Sequence, residues 1–407
     1  MNYSLGQKAQ HYLTQLAECS ETENSVTRLP FTAQHQRAAD LIKGWICEAG
    51  LSISMDDAGT LIGRYNAGEG KPVLLMGSHQ DSVKQGGGYD GIMGIVLGIV
   101  ALQAIQQRGI RLPFSVEILA FADEEGVRFP TALLGPRALA DTLDLDVLNR
   151  TDSDGVSLAD ALRGFGANPE SIPKLKRSPD NILGFIETHI EQGPVLEHEG
   201  LPLGVVTAIN GIERHTLTFT GQAAHAGTVP MHLRKDALAG AAAVILEAEK
   251  LAIRIPELLA TVGQLNVSPN VVNAVPGSVT LSIELRSPND AVREKAGEML
   301  KSYALETAQL RDLECHIERT YSQNATLCDD GLQQAIAHAI AATGEKVFYL
   351  PSGATHDASA MADLTKVAML FVRCRKGISH NPAEYASDED MGKAVDALIV
   401  LLTNLNQ

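Results

Sequence analysis

From Val73 to Gly94 the chain reads Val-Leu-Leu-Met-Gly-Ser-His-Gln-Asp-Ser-Val-Lys-Gln-Gly-Gly-Gly-Tyr-Asp-Gly-Ile-Met-Gly, and an apolar run continues to Ile105. Val73 to Met76 has the pattern of a buried strand, and Ile92 to Ile105 that of a buried helix. Strands alternating with helices in this way along the chain point to an α/β sheet. This order places His79, Asp81 and Asp90 on loops at the strand's carboxyl end, where open α/β sheets hold their ligands. Residues two apart in an extended chain point the same way, so His79 and Asp81 can face one site. Histidine and carboxylate together suit zinc and similar divalent metals. A lone His-x-Asp more often caps a surface turn, so the rest of the chain has to carry the argument.

With 407 residues the chain has room for two domains. Aromatic residues are only 4%, against base-stacking platforms. The net charge of −16 leaves no basic footprint for a phosphate backbone. An anionic substrate must therefore be met by locally placed Arg or His. The five cysteines, Cys19, Cys47, Cys315, Cys328 and Cys374, form no Cys-x-x-Cys pair and read as buried thiols of a reducing compartment. With no signal-peptide pattern after Met1 and no apolar stretch of membrane-spanning length, the expected location is cytoplasmic.

In chain order, residues 4 to 20 and 32 to 49 read as helices. Short strand pieces follow from Leu51 to Tyr65, then the opening strand and its helix. Pro113 to Ala122 alternates and reads as a second strand, ending in Asp123-Glu124-Glu125. Adjacent residues of an extended segment point apart, so one of these two glutamates could ligate a metal while the other acts on water. Residues 130 to 180 look helical and polar. Phe185 to Gly193 reads as another strand, carrying His189, Glu191 and Gln192 at its end. From about Asn210 the pattern changes to βαββαβ: strands at 214–221, 261–267, 277–286 and 313–320, with helices at 233–251 and 291–310. That order is the one of a ferredoxin-like unit inserted into the first domain. The α/β pattern resumes after about residue 328, with His356 and His380 on loops following strands. The expected domains are thus 1–209, 210–325 and 326–407, the first and last forming one body.

Taken together, His79, Asp90, Glu125, His189 and His380 form a ligand set for two metals. In this combination the chain resembles the dinuclear zinc amidohydrolases and exopeptidases related to aminoacylases and carboxypeptidases, and within them the hydantoinase/carbamoylase branch. Gly-Ser-His-x-Asp-Ser, Asp-Glu-Glu-Gly-Val-Arg-Phe, His-Ala-Gly-Thr-Val-Pro-Met and Gly-Ile-Ser-His-Asn-Pro-Ala-Glu occur in the family's order over essentially the whole chain. The resemblance implies an α/β fold: a mixed-sheet dinuclear zinc-hydrolase catalytic domain with an inserted ferredoxin-like α+β lid and dimerisation domain. It implies two divalent ions per subunit, zinc or manganese with cobalt as an option. Asp90 would bridge them, His79 and His189 completing one and Glu125 and His380 the other. Asp81 would orient His79, and Glu124 would be the general base. His225, reaching a partner subunit's site in a homodimer, would stabilise the oxyanion. Arg214, Asn273 and Arg286 would hold the substrate, with Gln192 and His356 as further contacts; a guanidinium can grip a carboxylate through two hydrogen bonds.

The implied activity is cleavage of the carbamoyl C–N bond of a small ureido carboxylate, with allantoate first. An N-carbamoyl-L-amino acid comes next, then ureidoglycolate or β-ureidopropionate. A di-zinc peptidase or aminoacylase is the second reading, which His189 and the His-Ala-Gly-Thr loop oppose. A non-catalytic binding protein is the third, opposed by the intact ligand set and Glu124. Two positions depart from the family pattern, Thr355 in place of a glycine and Gln80 in place of an apolar residue; both are expected near the site and so bear on substrate identity.

Overall fold

The structure is a computed structural model and describes residues 3–405. The chain forms two compact units, one made of Met1–Thr207 with Leu327–Gln407 and the other of Ala208–Thr326.

The first unit is built on a mixed, nine-stranded sheet. Its centre is four parallel strands in the order Ser115–Phe121, Val73–His79, Ile182–Ile190, Val367–Val372. Leu61–Tyr65 lies antiparallel to the first of these and Leu203–Ile209 to the last. Ser115–Phe121 is buried at every residue. Its alternating sequence reads as a strand, and its central place, with both faces covered, buries the intervening side chains as well. The helix Ile92–Gln107 is buried from Ile92 to Ile105. It lies on the sheet and is covered from outside by the helices Leu5–Ala17 and Asp388–Asn404. A hydrophobic seam on every side explains why this helix is not amphipathic. The region 130–180 is less helical than its sequence suggests: Leu134–Ala140 and Leu158–Phe165 are α-helical, and two short 3-10 turns complete it. Phe129, Leu134, Leu158, Leu162 and Phe165 form a small satellite core there with Phe31.

His35 is fully buried beside that core. Its Nδ1 accepts the Phe31 N–H at 2.8 Å, and its ring stacks on Phe165 at 4.7 Å. Burial, and then the charge of Arg28, push its pKa down to about 3. The unfolded chain takes up this proton near pH 6.5, the folded chain only near 3. Stability contributed by neutral His35 is thus complete above about pH 6.5 and is lost as pH falls toward 3, by up to roughly 4 kcal/mol. With a chelator present to silence any metal release, His35→Asn is expected to flatten the fall in thermal midpoint between pH 6.5 and 4; an unchanged slope would exclude His35 as its source.

The second unit is an antiparallel sheet in the order Leu265–Ser268, Ser278–Ser287, Gly211–Thr220, Glu314–Gln323. The helices Ala237–Arg254 and Asp290–Arg311 pack on one face. Strict alternation makes that face: Val279, Leu281, Ile283 and Leu285 are buried, as are Leu217 and Phe219. The strand expected over 261–267 is broken into Leu259–Thr261 and Leu265–Ser268. The first helix begins at Ala237 rather than 233, because Asp236 caps it by accepting the N–H groups of Leu238 and Ala239.

Candidate metal centre

Each of the four parallel strands sends one arm into a single cluster at its carboxyl end. Val73–His79 carries His79 as its last residue and reaches Asp90 through the glycine-rich loop. Ser115–Phe121 leads into Glu124 and Glu125, Ile182–Ile190 carries His189, and Val367–Val372 leads to His380. Asp90 precedes the Ile92–Gln107 helix, whose positive amino end favours a carboxylate. Gly91 has φ +65° and no room for a side chain: a Cβ would lie 2.4 Å from the His79 ring. Only glycine lets Asp90 and His79 come this close.

Asp90 turns one oxygen to each half of the cluster. Its Oδ1 lies 3.2 Å from His189 Nε2 and 3.8 Å from His79 Nε2. Its Oδ2 lies 3.1 Å from His380 Nε2, and that nitrogen is 3.8 Å from Glu125 Oε2. One ligand atom from each of His79, Asp90 and His189 falls within 4.8 Å of the others, and the same holds for Asp90, Glu125 and His380.

The tautomers of the two buried histidines follow from their neighbours. His189 Nδ1 faces the Ile190 carbonyl at 2.8 Å and His79 Nδ1 the Asp81 carbonyl at 3.1 Å, so in the neutral rings Nδ1 carries the proton and Nε2 presents its lone pair inward. That His189 lone pair accepts the Gly91 N–H at 3.2 Å and also faces Asp90 Oδ1 at 3.2 Å, an opposition that a cation between them or a proton on the ring would relieve. The proton is a real competitor: burial opposes it, but Asp90 outweighs burial and lifts His189 to about 9. The donor set favours the metal. Asp90 Oδ1 and Glu125 Oε1 are buried without a hydrogen-bond partner. Burial and then the charges of Asp90 and Asp81 raise Glu125 to about 8. Glu124 is raised well above the carboxylate range by burial, then by Glu125, Asp357, Asp81 and Asp90. Divalent cations relieve that crowding, and imidazole with carboxylate is the set zinc, manganese and cobalt accept. These residues therefore fit a metal centre.

Asp81 contributes in a way its sequence position does not reveal. Its carbonyl, not its carboxylate, meets His79 Nδ1; the carboxylate is 3.7 Å away. The carboxylate oxygens instead accept the Glu124 and Glu125 N–H groups, each at 3.2 Å. Asp81 thereby holds both adjacent glutamates by their backbone. Glu124 Oε2 comes to 3.9 Å from His79 Nε2, beside the cluster.

Gln192, with φ +57°, donates from Nε2 to Asp90 Oδ2 and to Ser379 Oγ, both at 3.1 Å. His356 is buried; Ser352 Oγ lies 2.7 Å from its Nε2, and its ring stands edge-on to His189 at 4.5 Å. Gln80 is a correction: its side chain does not face the site. The amide donates to the Ala120 carbonyl at 3.0 Å within the core, as strand alternation between His79 and Asp81 requires.

In the second unit the expected residues fall into two pairs. His225 and Asn273 meet in a two-stranded ribbon, where the Asn273 carbonyl accepts the Ala226 N–H at 2.9 Å. His225 Nδ1 accepts the Gly227 N–H at 3.1 Å, so the neutral ring carries its proton on Nε2. Arg214 and Arg286 share Glu284, Arg214 Nε at 2.5 Å and Arg286 Nε at 2.7 Å. All three lie on the sheet face away from the helices.

Glu187 and Glu284 escaped sequence reasoning although the strand period reaches both. Glu187 lies two residues before His189, accepts from Ser78 Oγ at 2.8 Å and the Ala358 N–H at 2.8 Å, and is fully buried. Glu384 also carries no role in the sequence reading, though it closes a motif singled out there.

A family description, Peptidase family M20/M25/M40, matches residues 75–404, a span that holds every residue of the cluster. The chain belongs to this family. It is 38% identical over 404 residues to an N-carbamoyl-L-amino acid amidohydrolase of Geobacillus stearothermophilus, covering 99% of each chain. To an allantoate deiminase of Arabidopsis thaliana it is 39% identical, covering 96% of this chain and 80% of that one. Among solved structures, an amidase of the hydantoinase/carbamoylase family from Burkholderia multivorans superposes with a TM-score of 0.92 at 32% identity, over 98% of this chain and 97% of that one. The chain is a hydrolase acting on C–N bonds.

Proposed function

We propose that the chain hydrolyses the carbamoyl C–N bond of a small ureido carboxylate at a two-metal centre, releasing ammonia, carbon dioxide and the amine. The observation that carries this reading is Asp90, one buried carboxylate shared between a His79–His189 pair and a Glu125–His380 pair, with Glu124 beside them. Two divalent ions there, zinc or manganese, would polarise the carbonyl and hold the attacking water. The chain's own part is proton traffic and positioning. Glu124 takes the proton from the attacking water and returns it to the departing nitrogen. Asp81 keeps Glu124 and Glu125 pointing apart. His225, protonated on Nε2, is a donor for the developing oxyanion.

A net charge of −16 repels an anionic substrate, so its carboxylate needs a dedicated cation. Arg286 and Arg214, set by Glu284, with Asn273, are the groups we assign to it. Gln192 and His356 are assigned to the metal end of the substrate. Allantoate is the first candidate and an N-carbamoyl-L-amino acid the second; relatives named for both are 38–39% identical to this chain. We further infer a homodimer through the second unit.

The test is ammonia release by manganese- or zinc-reconstituted protein, its oligomeric size measured at assay concentration. The substrates are allantoate, several N-carbamoyl-L-amino acids, ureidoglycolate, β-ureidopropionate and one N-acetyl amino acid. Turnover confined to ureido compounds is expected, allantoate fastest. Cleavage of the acetyl compound alone would move the chain to the aminoacylases, and a fully active monomer would remove the dimer.

A further inference from the structure

Glu384 lies outside the ligand set yet touches the loops that hold it. It is buried, and its Oε2 accepts the N–H groups of both Tyr89 and Asp90 at 3.0 Å each. Its Oε1 accepts the hydroxyl of Ser379 at 2.6 Å, next to His380. Gln192 then donates to Ser379 Oγ and to Asp90 Oδ2. The four side chains close a ring: Asp90 by its backbone to Glu384, Glu384 to Ser379, Ser379 to Gln192, and Gln192 to the Asp90 carboxylate. The approach is built into the loop. A Cβ at Gly87 would lie 2.3 Å from Glu384 Oε2, so residue 87 leaves space for this carboxylate and for no side chain of its own.

Two geometric facts make the ring more than local packing. His380 has φ +53°, an uncommon backbone for a residue other than glycine, which persists only where its surroundings hold it. The neighbouring Ser379–Glu384 bond is such a holder. His380 is also the exposed member of the cluster, its side chain 52% accessible, where His79, Asp90 and His189 are buried and Glu125 is largely so. No strand carries it, so its place depends on what its loop is tied to. The backbone of Asp90, at the start of a buried helix, is rigid.

We propose that Glu384 is a positioning residue that clamps the His380 loop to the Asp90 loop, so that the two halves of the metal centre are held at a fixed spacing. The proposal rests on reading these residues as a two-metal centre. Glu384 acts through position, by accepting three hydrogen bonds, and not through its charge. A glutamine keeps the three contacts, its oxygen accepting the Tyr89 and Asp90 N–H groups and its amide nitrogen donating to Ser379 Oγ, with the direction of that last bond reversed. An alanine cannot.

The test is the affinity of the purified full chain for manganese or zinc, two ions per chain, by competition with a chromophoric chelator. The thermal midpoint of the metal-stripped protein serves as a separate readout of folding. Glu384→Ala is expected to weaken binding at least tenfold, most at the Asp90–Glu125–His380 half. Glu384→Gln is expected to stay within about threefold of the wild type. Ser379→Ala removes the Glu384 link to the His380 loop and the Gln192 contact with it, leaves the Tyr89 and Asp90 N–H groups on Glu384, and is expected to weaken chiefly the second ion, the one at the Asp90–Glu125–His380 half. A folded Glu384→Ala that binds both ions as the wild type does overturns the clamp, and so does a Glu384→Gln as impaired as the alanine variant, which would make charge the cause. If Glu384→Ala does not fold, an unchanged second ion in Ser379→Ala overturns it. A wild type that binds no metal sinks the two-metal reading itself, a result separate from all of these.

Discussion

Glu124→Gln is expected to lower turnover by about 100- to 10,000-fold, the range over which a positioned general base contributes, while metal content stays at the wild-type value. The reason lies in the division between adjacent glutamates. Asp81 takes the N–H of Glu124 on one oxygen and that of Glu125 on the other. The two side chains are therefore committed to different tasks: Glu125 to the cluster with Asp90 and His380, Glu124 to the space beside His79. The amide keeps the shape of Glu124 and loses its basicity. Burial and four neighbouring carboxylates hold Glu124 above the ordinary carboxylate range, which favours its taking a proton. In the wild type, activity should fall on the acid side as Glu124 takes up a proton, and this limb should vanish in the variant. Metal analysis and a pH profile check it. Full turnover by Glu124→Gln would leave the centre without its assigned base.

Asp90→Ala is expected to abolish the binding of both ions, and turnover with it by about a thousandfold or more, since polarisation by metal amounts to several kcal/mol. Asp90 belongs to both ligand groups, and its two oxygens face opposite halves. Loss of an outer ligand leaves the other half complete; Glu125→Ala should cost one ion and spare the other. Two variants that remove one carboxylate each should thus differ in stoichiometry, zero against one, as read by elemental analysis after dialysis. One tightly held ion in Asp90→Ala would show that the halves are independent and that Asp90 is not shared.

What the sequence by itself determined is whatever depends on a single strand and the loop after it. The alternation of an extended chain puts His79 and Asp81 on one side, and it also puts Gln80 on the other, into the core against Ala120; the second consequence was as legible as the first. The buried run after Asp90 announces the helix that residue precedes, and the alternation of Val279, Leu281, Ile283 and Leu285 announces the packed face of the second sheet. Composition set the need for a local cation near any anionic substrate. The clustering of His79, Glu125, His189 and His380 came from resemblance of motifs and not from any one segment, because no local rule orders four strands.

Only the tertiary structure decided how these arms meet. The strand order places four carboxyl ends side by side, and that order alone assigns one Asp90 oxygen to His189 and the other to His380. It buried Ser115–Phe121 on both faces, it gave the Asp81 carboxylate to the Glu124 and Glu125 backbone, and it brought Glu384 to the N–H groups of Tyr89 and Asp90, 295 and 294 residues away in the chain. The physical reason is the range of the forces. A strand's twofold period fixes where a side chain points relative to its own backbone. Which partner it finds there is set by sheet order and loop closure, by contacts between residues that share no local pattern.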